Sequence, residues 1–584
     1  MKIKHYFGLA VIAAMTASCS SNEDLGTAGS GTGTNETGVG YATFTINLPS
    51  VSGTRADAGG AEMNEGTKEE YAVKSATALI FQKYGADEGS NKFVESVTLP
   101  IDGWTDDPED GITTTSKKLV AKLTNVDTKN DYSVLILLNN TKVALPTVGQ
   151  SYNDWNSKNI LTPSVTDWTG SDGFYMANAP LKGSGASPAI LVPINKDKIY
   201  ASEAIAKEDA SECAATVFVE RGVAKMSVAD PTPTDPIKVK DKATKAETES
   251  TVKFNNWALD ITNKKTYAVH NIDGLESDFG DIWKTDPSNR FIGTNNRVYW
   301  GKDPNYDNKD LKLTDKDAER QAEFNFITAT SQIDKDFANT TNTNPVYCLE
   351  NTFNLTNMYQ GQTTRVIFKA KYAPKDDVGN SLADDDETFY TIGNMTTILN
   401  TDKLKAAVNA VANPVLPTGY TIDYTNFMTK EGSHVITLAD IKNASGTPLV
   451  AGTDYSGKKG EEIVADINTK LGLTDGGGRA EAKVGINTYL QGVTYYIARV
   501  KHFGDALTKW NSGESYVDNN KQYLGRYGML RNNWYELTVG NVYGPGYPGV
   551  PPVDPTLPDD ENEKYLSVSV KILSWAKRSQ KVDL

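Results

Sequence analysis

Near its start the chain reads Ala42-Thr43-Phe44-Thr45-Ile46-Asn47-Leu48, and near its end it reads Leu566-Ser567-Val568-Ser569-Val570-Lys571-Ile572. Both stretches alternate apolar and polar side chains, which is the period of a β-strand with one buried face. Each stretch offers four apolar positions at alternate residues: Ala42, Phe44, Ile46 and Leu48 in the first, and Leu566, Val568, Val570 and Ile572 in the second. The two segments can therefore serve as alternative strands at the same kind of site.

The surroundings of the two stretches differ in a way that suggests an exchange. The first is followed by Ser52-Gly53-Thr54-Arg55, whose small residues are typical of an accessible loop, so Arg55 is a candidate protease site. The second follows residues 544–563, which are rich in Pro, Gly and Asp and cannot join a sheet interior. We expect this spacer to deliver the terminal strand away from its own domain. Cleavage at Arg55 would free the first strand, and the tail of a neighbouring molecule could replace it.

Length and composition indicate a folded chain of more than one domain. With 584 residues, two domains plus tails are expected. Aromatic residues at 9% and hydrophobic residues at 39% argue against disorder. The formal net charge is -15, from 59 basic and 74 acidic residues, which disfavours nucleic acid as a partner.

The N-terminus has the order of a secretory signal. Lys2 and Lys4 precede an apolar stretch at 6–15 that is too short to span a bilayer. Residues 16–19 resemble a bacterial lipoprotein box, although Thr16 stands where Leu is usual, so Cys19 is predicted to be acylated. Residues 20–24 are similar to the export signal of surface lipoproteins in Bacteroidetes-type bacteria. The precursor is therefore expected at the outer membrane; a simple signal peptide beside an incidental cysteine is the alternative.

Short β-rich runs between Gly, Asn, Asp and Pro clusters predict an all-β protein made of β-sandwiches. Two helices are predicted as insertions, at 402–412 and 460–473, because each places apolar residues on one face. Residues 230–250, with three prolines, are the expected domain boundary. The predicted segments are a lipoprotein signal peptide at 1–18, a propeptide with tether and first strand at 19–55, an N-terminal domain at 56–240, a C-terminal domain at 251–545, and the spacer with the terminal strand at 546–584. The predicted strands are 74–81, 118–123, 132–138, 189–192, 216–220, 224–229, 254–261, 266–270, 364–372, 494–501 and 534–542.

The sequence contains no local motif for catalysis, metal or cofactor binding. His270, His434 and His502 lie far apart and are predicted to be surface or sheet residues. Residues 303–307 have the D-x-N-x-D start of a calcium loop, but the glycine and glutamate that such a loop needs afterwards are missing. The acidic run at 384–387 is interpreted as a solvated loop. We expect no cofactor, no metal and two free thiols, both buried, at Cys213 and Cys348.

Four blocks of sequence carry a resemblance to a known family. They are residues 217–226 (VFVERGVAKM), 347–352 with 363–366, 523–535 (YLGRYGMLRNNWY), and the last strand with Trp575 and residues 582–584. Together they resemble the fimbrillins of Bacteroidales bacteria, the stalk subunits of protease-matured (type V) pili, and among them the short-fimbria kind. The resemblance spans nearly the whole chain, and the block that ends at Tyr535 is the most specific.

The resemblance implies a fold and a life cycle. It implies two tandem transthyretin-like β-sandwich domains, export as a lipoprotein acylated at Cys19, removal of the first strand by an Arg-directed protease at Arg55, and donation of the strand at 565–575. The implied partners are identical subunits head to tail in a filament, tip and anchor fimbrial subunits, the maturation protease, and the outer membrane through the lipid of the precursor. The implied role is adhesion through a cell-surface fimbria. The chain departs from the best-known members in its longer C-terminal domain, so the helical insertions have no assigned role.

Two other hypotheses stay open at this point. A surface lipoprotein adhesin, or a glycan-binding tip subunit, would use the sandwich loops and need not donate a strand. An enzyme such as a glycosidase would need two carboxylates, and the sequence singles out no such pair. The free terminal strand favours the stalk subunit, for which no catalytic function is expected.

Overall fold

The computed structural model describes residues 33–35, 37–49, 63–64, 67–102, 104, 116–182, 187–208, 213–228, 236–275, 291, 297–329, 338–339, 345–503, 507–508, 510–511, 521–558 and 566–575. Within these ranges the chain is mostly β-structure with few helices, so the prediction of an all-β protein is confirmed at that level.

The first half of the chain contributes β1 (Gly40–Asn47), β2 (Met63–Asn64), β3 (Ala76–Gln82), β4 (Lys92–Thr98), β5 (Ser116–Leu123), β6 (Tyr132–Leu138), β7 (Met176–Asn178), β8 (Leu181–Lys182), β9 (Pro188–Ala189), β10 (Val192–Pro193), β11 (Ile199–Tyr200), β12 (Ala215–Arg221) and β13 (Val223–Val228). Its helices are α1 (Tyr152–Trp155), α2 (Val165–Thr169) and α3 (Glu203–Glu208).

The second half contributes β14 (Ile237–Lys240), β15 (Glu247–Asp260), β16 (Thr262–Asn263), β17 (Phe324–Asn325), β18 (Ala338–Asn339), β19 (Val346–Leu349), β20 (Arg365–Ala373), β21 (Phe389–Ile392), β22 (Tyr420–Ile422), β23 (Gly432–His434), β24 (Ile441–Asn443), β25 (Ile486–Tyr489), β26 (Val493–Arg499), β27 (Trp534–Val542) and β28 (Leu566–Trp575). Its helices are α4 (Asp317–Glu323), α5 (Thr401–Ala412), α6 (Thr425–Met428) and α7 (Gly460–Leu471).

The first core is built on a mixed sheet in which β12, β7, β6, β3 and β4 follow one another. β1 joins the sheet beside β12, and β5 lies on the other side of β1. All seven side chains of β6 are buried, so both faces of the sheet are covered at this strand. Its run Tyr132–Leu138 is apolar apart from Ser133 and includes the β-branched Val134 and Ile136, which suits a fully buried strand.

The chain passes from the first core to the second at Gly222, between β12 and β13. β12 pairs with β7 of the first sheet, whereas β13 pairs with β19 and β27. A Cβ atom at Gly222 would lie 2.6 Å from the Trp168 ring and 2.9 Å from the Tyr175 ring, so the crossing requires glycine. The packing therefore changes earlier than the proline-rich stretch 230–250 where the boundary was expected.

The second core lies between two sheets. One has the order β14-β15-β20-β26, and the other has the order β19-β13-β27-β28-β2. Phe254, Phe368 and Tyr496 from the first sheet and Met226 and Leu537 from the second belong to one buried cluster. Two sheets that share a core are the general form of a sandwich.

An inserted lobe separates β20 from β26, two strands that pair directly with each other. Helices α5 and α7 confirm the two predicted helical insertions to within two residues at each end. The lobe has its own core, in which Leu404, Val408, Ile463 and Ile467 are buried. Within the residues described above, no helix is long and apolar enough to cross a membrane.

Candidate strand-exchange site

β1 is an interior strand with partners on both sides. All eight of its residues, from Gly40 to Asn47, lie opposite residues of β5 in an antiparallel ladder. On its other side, Phe44–Asn47 pairs with the parallel strand β12, and Tyr41 and Ala42 pair with β11. Loss of β1 would therefore leave two strand edges facing each other across an open groove.

The apolar positions of β1 point into the first core. Ala42, Phe44 and Ile46 are fully buried, and Leu48, just past the strand, is 4% exposed. The other face of β1 is partly covered as well, because Thr43 Oγ1 donates to the carbonyl of Ala206 in α3, at 2.8 Å. The predicted alternation is thus observed at this strand except at Thr43, which is buried as well.

The C-terminal strand β28 lies in its own subunit in this structure. It pairs with β27 in an antiparallel ladder from Val542↔Leu566 to Trp534↔Leu573, with one register shift. Its other edge pairs with β2 at two positions only, Met63↔Ser574 and Asn64↔Trp575. Over the rest of its length β28 is a sheet edge among the described strands.

The register of β28 places its apolar positions opposite the buried positions of β27. Ile572 lies opposite Tyr535, and Val570 lies opposite Leu537; both partners in β27 are fully buried. The alternating pattern that is proposed to fit a groove in a neighbouring subunit therefore also fits the edge of β27. Within one chain, β28 can pair with β27.

The expectation that the spacer carries the terminal strand away from its own domain is wrong for this conformation. The spacer packs onto the second core instead: Tyr547 forms a bridge with Tyr495, and Arg365 Nη2 donates to the carbonyl of Pro551, at 2.7 Å. Proline has no N–H group, but its carbonyl remains a full acceptor. The spacer therefore docks through one β-bridge at Tyr547, beside β26, and through the carbonyl of Pro551.

Two residues of the predicted processing pathway lie outside the described residues. These are Cys19, predicted to be acylated, and Arg55, predicted to be cleaved. Their roles stay predictions.

A buried ion pair joins Glu70, which follows β1 in the chain, to Lys225 in the block 217–226. Tyr347, from the block 347–352, also contacts Glu70. Glu70 Oε1 lies 2.7 Å from Lys225 Nζ, and both side chains are buried. The Arg221 Nε atom donates to the Glu70 carbonyl, and Tyr347 OH donates to the Glu70 carboxylate. Burial lowers the pKa of Lys225 to about 8, although Glu70 opposes the shift. Sequence reasoning missed this cluster; the signal was the presence of charged residues inside the apolar run 217–226.

A second buried cluster surrounds Glu220. His270 Nδ1 lies 2.8 Å from Glu220 Oε1, and Arg297 Nη2 donates to Glu220 Oε2 at 2.7 Å. His502 is also buried, with Nδ1 2.8 Å from Tyr535 OH. The expectation of surface or sheet positions is therefore wrong for His270 and His502, while His434 lies in β23.

The other candidates from the sequence have structural roles. The Asp303 carboxylate accepts from the amides of Thr352 and Asn305, so it organises its own loop, and burial raises its pKa to about 8. Asp384 accepts from Thr401 at the start of α5. In the described part of the chain no group of three or more His, Cys, Asp or Glu side chains could hold a metal ion. Cys348 is buried, but Cys213 is half-buried, so the expectation of two buried thiols is correct only for Cys348.

Residues 487–581 match the family model of the major fimbrial subunit protein type IV, Fimbrillin, C-terminal. The matched region includes both β27 and β28, together with the block 523–535. No curated protein matches the sequence. The chain is also similar to the crystal structure of a candidate cell adhesion protein from Parabacteroides distasonis, with 10% identity, a TM-score of 0.36, and coverage of 92% of this chain and 99% of that one. A TM-score of this size carries no argument about fold or function.

The matched model describes the C-terminal part of a major fimbrial subunit. The resemblance to the fimbrillins that the sequence blocks carry is therefore confirmed over residues 487–581.

Proposed function

We propose that the chain is a structural stalk subunit of a bacterial surface fimbria, which polymerises by protease-triggered donor-strand exchange and supports adhesion. In this proposal the chain is not an enzyme. The observation that carries it is the position of β1, which is buried between β5 on one side and β11 and β12 on the other. It precedes Arg55 in the sequence, so one cut there would end its covalent link to the rest of the chain.

The groove left by β1 would favour a strand with the pattern of β28. In its own subunit β28 has a ladder along one edge and two paired residues along the other. In the groove it would have neighbours on both edges, as β1 has. Burial of four apolar side chains contributes roughly 1.5 to 3 kcal/mol each, before the cost of ordering the tail. The exchange is therefore favourable once β1 has left.

Strand donation from one copy to the next does not close on itself. Each subunit would offer a groove in its first core and a strand from its C-terminal end, so the contact is head to tail. Repetition of such a contact produces a filament. Tip and anchor subunits would end it, and the two sandwich cores, proposed to be transthyretin-like, would form its repeating unit.

The proposed precursor is a lipoprotein of the outer membrane. Cys19 would be acylated, residues 26–40 would act as a tether, and cleavage at Arg55 followed by displacement of β1 would release the mature subunit from the membrane. A fatty-acid analogue should label the precursor, and Cys19→Ser should abolish both the label and delivery to the cell surface. Equal labelling of the two forms would contradict the lipoprotein proposal.

Removal of the terminal strand tests the polymerisation proposal. Deletion of residues 565–584, or Val568→Asp combined with Val570→Asp, should leave a folded and cleaved subunit that forms no filaments in electron micrographs. The control is Val378→Asp with Val450→Asp, because both valines are exposed loop residues. Filaments of normal length from either donor variant would contradict polymerisation by donation of the C-terminal strand.

A further inference from the structure

The two strands that flank β1 are held in the first sheet in different ways. The strand order is β4-β3-β6-β7-β12-β1-β5, so β4 and β5 lie at the two ends. β12 pairs with β7 as well as with β1. Among the described strands, β5 pairs with β1 alone, through the eight-residue ladder. Loss of β1 would therefore leave β12 in its sheet and β5 without a ladder.

Side-chain packing alone does not fix the position of β5 when β1 is absent. Leu119, Ala121 and Leu123 of β5 are buried in the first core. Two of them lie opposite β1 residues in the ladder, Leu119 opposite Phe44 and Ala121 opposite Ala42, so they would lose these neighbours. The remaining hydrophobic contacts are non-directional. They favour burial of β5 but do not set its distance from β12.

Directional contacts to β5 come from Glu95 in β4. Glu95 Oε1 accepts from the amides of Thr124 and Asn125, both at 3.0 Å. Glu95 Oε2 accepts from Thr124 Oγ1 at 2.7 Å. Thr124 and Asn125 come directly after the last residue of β5. We call these hydrogen bonds the Glu95 clamp, and it connects the two end strands of the sheet.

The Glu95 clamp is strong because its acceptor is a buried carboxylate. Glu95 is 8% exposed and stands two residues after the buried Phe93. A carboxylate at such a position is costly unless it is hydrogen-bonded, and hydrogen bonds to a carboxylate are stronger than those between neutral groups. Detachment of Thr124 and Asn125 would leave this carboxylate without the partners that stabilise it.

β4 is anchored in the sheet independently of β1. It pairs with β3 from Thr77↔Thr98 to Gln82↔Lys92, with one register shift. β3 in turn pairs with all seven residues of β6. The Phe93 amide also donates to the carbonyl of Gln150. The Glu95 clamp therefore reaches β5 from a part of the sheet that does not depend on β1.

We propose that Glu95 is a positioning residue for strand exchange: the Glu95 clamp holds β5 in place while β1 is absent, so that the groove keeps two fixed walls for the incoming strand. Among the described residues the Glu95 carboxylate bonds to Thr124 and Asn125 and not to β1, so it acts through β5. A groove that is already formed binds a strand more tightly than one whose wall must first be ordered. This inference rests on the proposed strand exchange.

The first measurement uses the uncleaved full chain. Because the ladder with β1 holds β5 in this state, Glu95→Gln should keep the amides of 117–123 protected in hydrogen exchange. Glutamine keeps the size of the side chain but has one acceptor oxygen instead of two. Glu247→Gln, at an exposed position of β15, is the matched control. Loss of this protection in uncleaved Glu95→Gln would mean that Glu95 serves the stability of the precursor, which would overturn the proposal.

The second measurement follows a limited trypsin cut at Arg55. Each cleaved chain is diluted in steps, and gel filtration with mass spectrometry gives the dissociation constant of the segment that contains β1. Glu95→Gln should raise this constant about tenfold or more, because β5 must be ordered again whenever a strand binds. Thr124→Val removes one donor and should raise it less, while Glu247→Gln should leave it unchanged. Equal constants for Glu95→Gln and the natural chain would overturn the proposal.

Uptake of a synthetic peptide of residues 565–584 separates this inference from the proposed function. The natural cleaved chain should take up the peptide in place of β1. A natural chain that never takes it up contradicts strand exchange, and with it any role of Glu95 in that exchange. A natural chain that takes it up, while Glu95→Gln holds the β1 segment as tightly as the natural chain does, contradicts the role of Glu95 alone.

Discussion

Lys225 Nζ lies 2.7 Å from Glu70 Oε1, and the two side chains are 2% and 0% exposed. Glu70 lies between β1 and β3 in the chain, whereas Lys225 lies in β13, where the second core begins. Lys225 also lies 3.4 Å above the centre of the Trp534 ring in β27. One buried ion pair thus ties the segment that follows β1 to both cores.

Loss of one partner of this pair should be costly. Glu70→Gln leaves the Lys225 charge buried without its carboxylate, and we expect a loss of about 3 to 5 kcal/mol in the free energy of unfolding. Urea unfolding measures this change. The control is Glu203→Gln, which breaks the exposed Glu203–Lys207 pair and should cost less than about 1 kcal/mol. Equal effects of the two substitutions would show that the buried pair does not tie the cores together.

Replacement of both partners provides a second check. Glu70→Leu combined with Lys225→Met removes both charges from the interior, so it should recover much of the stability that Glu70→Gln loses. A double variant as unstable as the single one would point to the hydrogen bond from Tyr347 OH as the essential contact of the Glu70 carboxylate.

The buried histidine beside Glu220 should make stability depend on pH. Burial alone would lower the pKa of His270, but the charges of Glu350 and Glu220 raise it above its ordinary 6.5. The folded state therefore holds this proton to higher pH than the unfolded state does. The stabilisation is fully present below pH 6.5 and is lost as pH rises through the folded pKa.

Comparison with His270→Gln isolates this contribution. Gln keeps an N–H donor toward Glu220 but does not titrate. The difference in unfolding free energy between the natural chain and the variant should be larger at about pH 6 than at about pH 9. A difference that is constant over this range would mean that His270 is neutral in the folded state.

The sequence predicted the elements better than the contacts between them. Local alternation was enough for β1 and for β27, where the predicted bounds 534–542 are those observed, and amphipathic spacing was enough for α5 and α7. The predicted strand 266–270 is wrong: Thr266 forms an isolated bridge with Leu161, and the Val269 amide donates to the side chain of Asn156. The conformation of such a segment depends on contacts with residues far away in the sequence, and local periodicity gives no information about those contacts.

The candidate sites show the same division. The residues of the proposed leaving strand could be chosen from their pattern, because burial of alternate positions is a local property. The pairs Glu70–Lys225 and Asp260–Arg365 join residues more than one hundred positions apart, so no spacing rule finds them. The pairing of β28 with β27 in the same chain was missed for a related reason. One alternating pattern fits the edge of more than one strand, so the pattern does not identify the partner.

Cleavage should precede strand release rather than cause it. Limited trypsin should produce a chain that begins at Ala56, and Arg55→Ala should block this cut. Because Ala42, Phe44 and Ile46 are buried, the cleaved segment should remain bound during gel filtration. A synthetic peptide of residues 565–584 in excess should displace it, as detected by mass spectrometry. A segment that leaves on cleavage alone, without the peptide, would contradict a strand-for-strand exchange.

The reactivity of the Cys213 thiol tests whether the groove is open when β1 is absent. Its Sγ lies 3.1 Å from Thr216 Oγ1 at the start of β12, and it is hydrogen-bonded to Thr45 of β1. A chain that starts at Ala56 should therefore react with a maleimide several-fold faster at Cys213 than the full chain does. The comparison is made at about pH 9.5, where a thiol of ordinary pKa is largely ionised. Buried Cys348 is the internal control and should stay unreactive in both chains.

Disulfide trapping between two subunits tests strand exchange most directly. One subunit carries Val120→Cys in β5, opposite Thr43 of β1, and the other carries a cysteine at one of the positions 568 to 572, each in a background of Cys213→Ser and Cys348→Ser. After cleavage, mixing and oxidation, mass spectrometry of the filaments should find residue 120 of one subunit linked to the C-terminal strand of the next. Filaments that form normally while no position from 568 to 572 links to residue 120 would contradict the account.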